Sequence, residues 1–125
     1  MRFAAVALLA GLLLGVAACG GGGGGGGGQP SGSIKVTMTE FKFDPSNISA
    51  PAGKVVFFLV NGGNGVSHDM IIRDSGGTRV AGSELISSGD SSVFTVDNLA
   101  AGTYTYYCDQ PGHEQSGMKG TLTVT

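Results

Sequence analysis

The chain has 125 residues, with seven Lys/Arg against nine Asp/Glu and only 13% of residues charged. That length allows one domain with a real core, and the slight acidity argues against nucleic acid as a partner. Two cysteines in the whole chain exclude a disulfide-rich scaffold.

The N-terminus reads Met-Arg-Phe, then an apolar run over 4–16, then the small residues Ala17 and Ala18. This is the layout of an export signal, and its roughly thirteen apolar residues fall short of the twenty or so that a membrane-spanning helix needs. Val16-Ala17-Ala18-Cys19 resembles the lipobox of bacterial lipoproteins. The resemblance implies cleavage of a signal peptide over 1–18, lipidation of Cys19, and a domain held at the periplasmic or outer face of a cell membrane. Loss of Arg2 leaves six Lys/Arg against nine Asp/Glu, a net charge of −3 with His neutral.

Residues 20–28 are an unbroken run of glycine followed by Gln-Pro-Ser-Gly-Ser, a composition with nothing to bury. Residues 19–32 are therefore expected to form a flexible linker with a reach of about 20 Å, and 33–125 the folded domain. Along that domain short β-type runs alternate with turn residues, and no helical period persists over a helix-length window. Strands are expected over 34–38, 40–43, 55–60, 68–73, 92–96, 103–108 and 120–124, with a short helical segment possible around 81–85. Turns are expected at Asp44-Pro45, Pro51-Ala52-Gly53, the Gly/Asn run 61–65, Ser75-Gly76-Gly77, Ser88-Gly89-Asp90 and Ala101-Gly102. Seven to eight strands at this spacing predict an all-β, two-sheet antiparallel β-sandwich.

The chemistry concentrates near the C-terminus. With Cys19 assigned to lipid, Cys108 is the one thiol left in an oxidising compartment, a liability unless it is buried or holds a metal. Cys108, His113 and Met118 stand five residues apart on either side of a Pro-Gly turn, so a single loop can bring thiolate, imidazole and thioether to one point. A second imidazole must come from His68, the chain's other histidine. Two imidazoles, a thiolate and a weak thioether form the donor set of a mononuclear blue-copper site that alternates between Cu(II) and Cu(I). In the strand before this loop a period of two puts Tyr104, Tyr106 and Cys108 on one face.

These residues resemble those of the cupredoxin family, the type 1 blue copper proteins that include plastocyanin, azurin, auracyanin and rusticyanin. Phe41-Lys42-Phe43-Asp44-Pro45, Ile48, Gly53, the apolar run 55–60 and Asn61 ahead of His68 add to the likeness. The spacing of four residues between Cys108 and His113, and four more to Met118, resembles rusticyanin-like members more than plastocyanin, whose gap from Cys to His is shorter. The resemblance implies a Greek-key sandwich, one copper ion and outer-sphere electron transfer, with the edge of His113 near the surface beside Pro111, Gly112 and Val66. Leu99-Ala100-Ala101-Gly102-Thr103-Tyr104 resembles the tyrosine corner of Greek-key sandwiches. Where many members carry Asn after the first His and Ser or Thr after the Cys, this chain has Asp69 and Asp109. Two ionised carboxylates there would repel if close, so either they point apart, or one is protonated, or each accepts backbone N–H groups.

The expected function is thus a membrane-tethered carrier of single electrons outside the cytoplasm. It would act as a monomer, between redox proteins such as membrane-bound cytochromes or oxidases. The rival from another class is an extracytoplasmic copper chaperone or storage protein, which would present Met- and His-rich tracts or Cys pairs; here only Met38 and Met70 are spare. An enzyme would need a second metal site, for which no histidine remains.

Overall fold

The computed structural model describes residues 28–125; the expected signal peptide, Cys19 and the glycines up to 27 lie outside the described residues. Nine strands follow in order: β1 Ile34–Thr39, β2 Lys42–Asp44, β3 Asn47–Ala50, β4 Gly53–Asn61, β5 Ile71–Arg73, β6 Arg79–Gly82, β7 Ser91–Leu99, β8 Gly102–Tyr107 and β9 Lys119–Val124. They form a four-stranded sheet ordered β2-β1-β4-β7 and a five-stranded sheet ordered β3-β9-β8-β5-β6. The expected all-β, two-sheet sandwich is what forms. Its pairing is mixed, not purely antiparallel, because β1 runs parallel to β4 and β3 parallel to β9.

Burial alternates along β1, β8 and β9, the two-residue period of strands with one face on the core. Val36, Met38, Phe57, Leu59, Ile72 and Leu122 are fully buried in that core. Each such side chain contributes about 1.5–3 kcal/mol by leaving water. Phe57 and Phe94 stack across the β4–β7 pair with ring centroids 5.7 Å apart.

Three local expectations change. Residues 40–43 are not one strand: Glu40 and Phe41 form the tip of a tight β1–β2 hairpin, closed by the pairing of Thr39 with Lys42. No helix forms at 81–85, because Ala81 and Gly82 pair with Ile72 and Ile71 at the edge of the sheet. The stretch after His68 becomes regular strand only from Ile71, His68 itself making an isolated two-way bridge to Ile86. The tyrosine corner is present, the Tyr104 hydroxyl donating to the Ala100 carbonyl at 2.7 Å.

β8 and β9 position the site. Tyr106 pairs with Gly120, and the Tyr106 ring covers that glycine on its way to donate a 2.7 Å bond to the Pro45 carbonyl. A Cβ at position 120 would collide with the ring and lie 2.6 Å from the Ser46 carbonyl oxygen. Gly120→Ala is therefore expected to destabilise the domain by about 3 kcal/mol, since neither a buried ring nor backbone can yield cheaply. Urea unfolding of the two proteins checks this; a loss under 1 kcal/mol, well below the ~3 expected of overpacking, would show that the ring moves freely.

Candidate metal centre

Cys108 follows the last residue of β8 and Met118 precedes the first of β9, so the two stand opposite each other at the mouth of the hairpin. The Cys108 N–H donates to the Met118 carbonyl at 3.2 Å, adding one rung to the ladder beyond the Tyr107–Lys119 pair. Both side chains are fully buried and continue the inward faces of their strands.

The loop between them is a chain of turns. Gln110-Pro111-Gly112-His113 closes with the His113 N–H on the Gln110 carbonyl at 3.0 Å, and Gly112 has φ +81°. Proline second and a positive-φ glycine third are the requirements of a type II turn. This turn swings His113 back toward Cys108, leaving its Nδ1 3.4 Å from the Cys108 Sγ. The Met118 N–H then bonds the His113 carbonyl at 3.1 Å, tying the loop's middle to its end. On its outer side, Glu114 receives a two-pronged ion pair from Arg73, at 3.0 and 2.6 Å, while the Arg73 guanidinium lies 4.3 Å over the Tyr107 ring.

His68 reaches the same point from the other side. Its N–H and carbonyl both bond to Ile86, at 3.0 and 2.8 Å. The loop before it is organised by Asn61, fully buried, whose amide donates to the carbonyls of Val66 and Ile86 and accepts from the Gly63 N–H. His68 Nδ1 lies 3.9 Å from the Cys108 Sγ. The nearest donor atoms of His68, Cys108 and His113 all fall within 4.8 Å of one another.

This arrangement suits a metal. Nitrogen and sulfur bound tetrahedrally at about 2.0 and 2.3 Å stand on the order of 3.5 Å apart, close to the two spacings observed. The thiol is fully buried, and two imidazole nitrogens are among its near polar neighbours. Burial pushes its pKa up to about 11, partly offset by the N–H groups of Asp69 and Gln110. A metal that binds there must displace that proton. Burial also pushes His68 below the usual histidine range, opposed by Glu40 and reinforced by His113, which favours the neutral, ligating imidazole. Soft thiolate, borderline imidazole and the adjacent buried thioether of Met118 are the donors that copper prefers.

Asp69 and Asp109 stay close and are bridged through the backbone. Asp69, 5% exposed, accepts the Asp109 N–H at 2.9 Å, which joins the His68 segment to the Cys108 loop. The Asp109 carboxylate faces outward with Arg79 3.9 Å away. Burial, and then Asp109, push the Asp69 carboxyl up to about 6.

Two neighbours of the imidazoles were not expected. Phe41 meets His113 edge-on at a centroid distance of 4.8 Å and is 39% exposed. Glu40 puts Oε1 3.5 Å from the buried Nε2 of His68, and its own N–H, followed by that of Asn64, holds its carboxyl below the usual range. Both residues sit in what reads in sequence as a strand, and only the hairpin turn places them here.

The raised carboxyl has a measurable consequence. The folded-state value of about 6 exceeds the ordinary 3.8, so Asp69's contribution to stability is complete below the lower value and lost as pH rises through the higher. Asp69→Asn keeps an oxygen for the Asp109 N–H and removes the loss. It is expected to stabilise the metal-free domain by about 1–2 kcal/mol at neutral pH, and by little once the pH falls to the ordinary carboxylate value of 3.8. Urea titrations at the two pH values check this, and equal gains at both would count against it.

Comparison with known proteins agrees with the geometry. Residues 30–125 match the family described as copper binding proteins, plastocyanin/azurin family. Plastocyanin of Dryopteris crassirhizoma is 35% identical over 94 residues, covering 67% of this chain and 88% of its own. Auracyanin-B of Chloroflexus aurantiacus is 48% identical over 46 residues, which are 37% of this chain and only 20% of that protein. The solved structure of auracyanin B superposes with a TM-score of 0.68 at 27% identity, covering 79% of this chain and 92% of the other. A match spanning the whole sandwich makes this chain a member of the plastocyanin/azurin family of copper binding proteins, the cupredoxins.

Proposed function

We propose that the chain is a mononuclear type 1 copper protein that carries single electrons between redox proteins outside the cytoplasm, tethered to a membrane through Cys19. The convergence of Cys108 Sγ with the Nδ1 atoms of His68 and His113 is the observation that carries this reading. His68, Cys108 and His113 would hold the ion, with Met118 as the weak fourth donor. Bound copper supplies a one-electron couple.

The chain's own residues do the rest. The hairpin rung at Cys108–Met118, the His68–Ile86 bridge and the Asp69–Asp109 bond hold the donors in place through hydrogen bonds that need no metal. A cage held in that way changes little when charge arrives or leaves. His113 is the half-buried ligand, and its contact with the partly exposed Phe41 gives an apolar edge at which a redox partner can approach. The partners would be proteins such as membrane-bound cytochromes or oxidases, met by a monomer on a glycine leash.

The chaperone or storage reading loses support from the methionines. Met38 and Met70 are fully buried core residues, out of reach for handing copper on.

Adding Cu(II) to the reduced domain should produce an intense visible band from thiolate to copper. Cys108→Ser should abolish it, and a parent protein without the band would refute the reading. Met118→Leu should keep the band but move the reduction potential, because the axial sulfur tunes it; an unchanged potential removes Met118 from the ligand set. For the tether, Cys19→Ser should release the protein from membranes on fractionation, and retention would argue for another anchor.

A further inference from the structure

The tip of the β1–β2 hairpin places a carboxylate behind one ligand. Glu40 Oε1 accepts the Asn64 N–H at 3.0 Å and lies 3.5 Å from His68 Nε2. That nitrogen is fully buried and has no hydrogen-bond partner of good geometry. It is the ring position opposite Nδ1, which faces Cys108. The surrounding loop is shaped to admit the carboxylate: a Cβ at Gly63 would collide with Glu40 Oε1 and lie 3.0 Å from the Asn61 side-chain oxygen. A buried ring nitrogen, a carboxylate held by a backbone N–H and a glycine that makes room all point to the same contact.

We propose that Glu40 is a positioning residue for the metal centre, acting through His68. Its carboxylate accepts the Nε2 proton, fixes the tautomer that leaves the Nδ1 lone pair toward the metal, and favours the more positive oxidation state of the bound ion. The inference rests on the copper reading above. An imidazole whose other nitrogen binds a cation is a stronger N–H donor, and a carboxylate behind it raises its strength as a ligand. Negative charge on that side of the ring also stabilises Cu(II) more than Cu(I). The Glu40 side chain is 28% exposed, so water screens part of this effect. The expected loss is toward the lower end of the 10–100-fold range seen when such partners are removed.

The test compares the full chain with Glu40→Ala and Glu40→Gln. In copper-loaded protein, Glu40→Ala should lower Cu(II) affinity relative to Cu(I) by about tenfold, which for a one-electron couple raises the potential by about 59 mV. Glu40→Gln keeps an acceptor oxygen without the charge, so the potential should rise while the tautomer stays fixed. In copper-free protein, nitrogen-15 NMR should find the His68 proton on Nε2 and slow to exchange in the parent and in Glu40→Gln, and fast to exchange in Glu40→Ala. Unchanged potentials in both variants of a parent that shows the thiolate band overturn the inference, as does a parent whose His68 proton sits on Nδ1. A parent without the band overturns the copper reading, and this inference with it.

Discussion

The site depends on the rung that closes the β8–β9 hairpin, where the Cys108 N–H meets the Met118 carbonyl. Antiparallel pairing brings directly opposed side chains to within about 5 Å of each other at Cβ. Two sulfur-bearing residues ten apart in sequence thereby become neighbours on one face of the sheet. Everything between them must then fit into a loop whose ends are already fixed. The Pro111-Gly112 turn uses that constraint to return His113 to the Cys108 thiol, and the Met118 N–H locks it there. The Arg73–Glu114 pair holds the outer side of the same loop against β5.

The remaining imidazole belongs to a segment from elsewhere in the sandwich, and the link between the two is narrow. The Asp69 carboxylate on the Asp109 N–H is one direct tie, and the Asp69 N–H facing the Cys108 thiol is a second. A neutral acceptor would make the first bond without the desolvation cost that raises this carboxyl. The chain therefore carries a buried ionisable group where an amide would suffice geometrically. That charge lies one residue from His68 and against the Cys108 thiol, where a negative group acts on the thiol's acidity.

The Cys108–Met118 loop was legible in sequence because its signal is local: Cys108, His113 and Met118 flank a turn whose proline and glycine announce themselves. The inward face of Tyr104, Tyr106 and Cys108 followed from a two-residue period, and the corner bond of Tyr104 from a short motif. The parallel pairings were hidden, because a strand's composition does not state the direction of its neighbour. Residues 81–85 mix apolar and small residues with no strong period, and pairing with β5 decided their conformation. Asn61, Arg73 and Glu114 were not assigned roles, since all but one of their side-chain partners lie 5–41 residues away and each looks in sequence like an ordinary polar residue. The larger miss was Glu40-Phe41. The aromatic and β-type residues around it favour a strand, while the turn is imposed by the register of Thr39 against Lys42.

That turn gives the two imidazoles unlike surroundings. Consecutive residues of a two-residue tip reach different imidazoles: Phe41 lies against the half-buried His113, and Glu40 behind the buried His68. An apolar neighbour at the half-buried ring adds no charge that would have to be desolvated if that edge were covered. A carboxylate at the buried ring acts where no partner competes for it, and its field bears on the metal through the imidazole. One hairpin tip can thus influence the approach to the site through one residue and its electrostatics through the next. The two effects are separable by substitution, because Phe41 and Glu40 meet different rings.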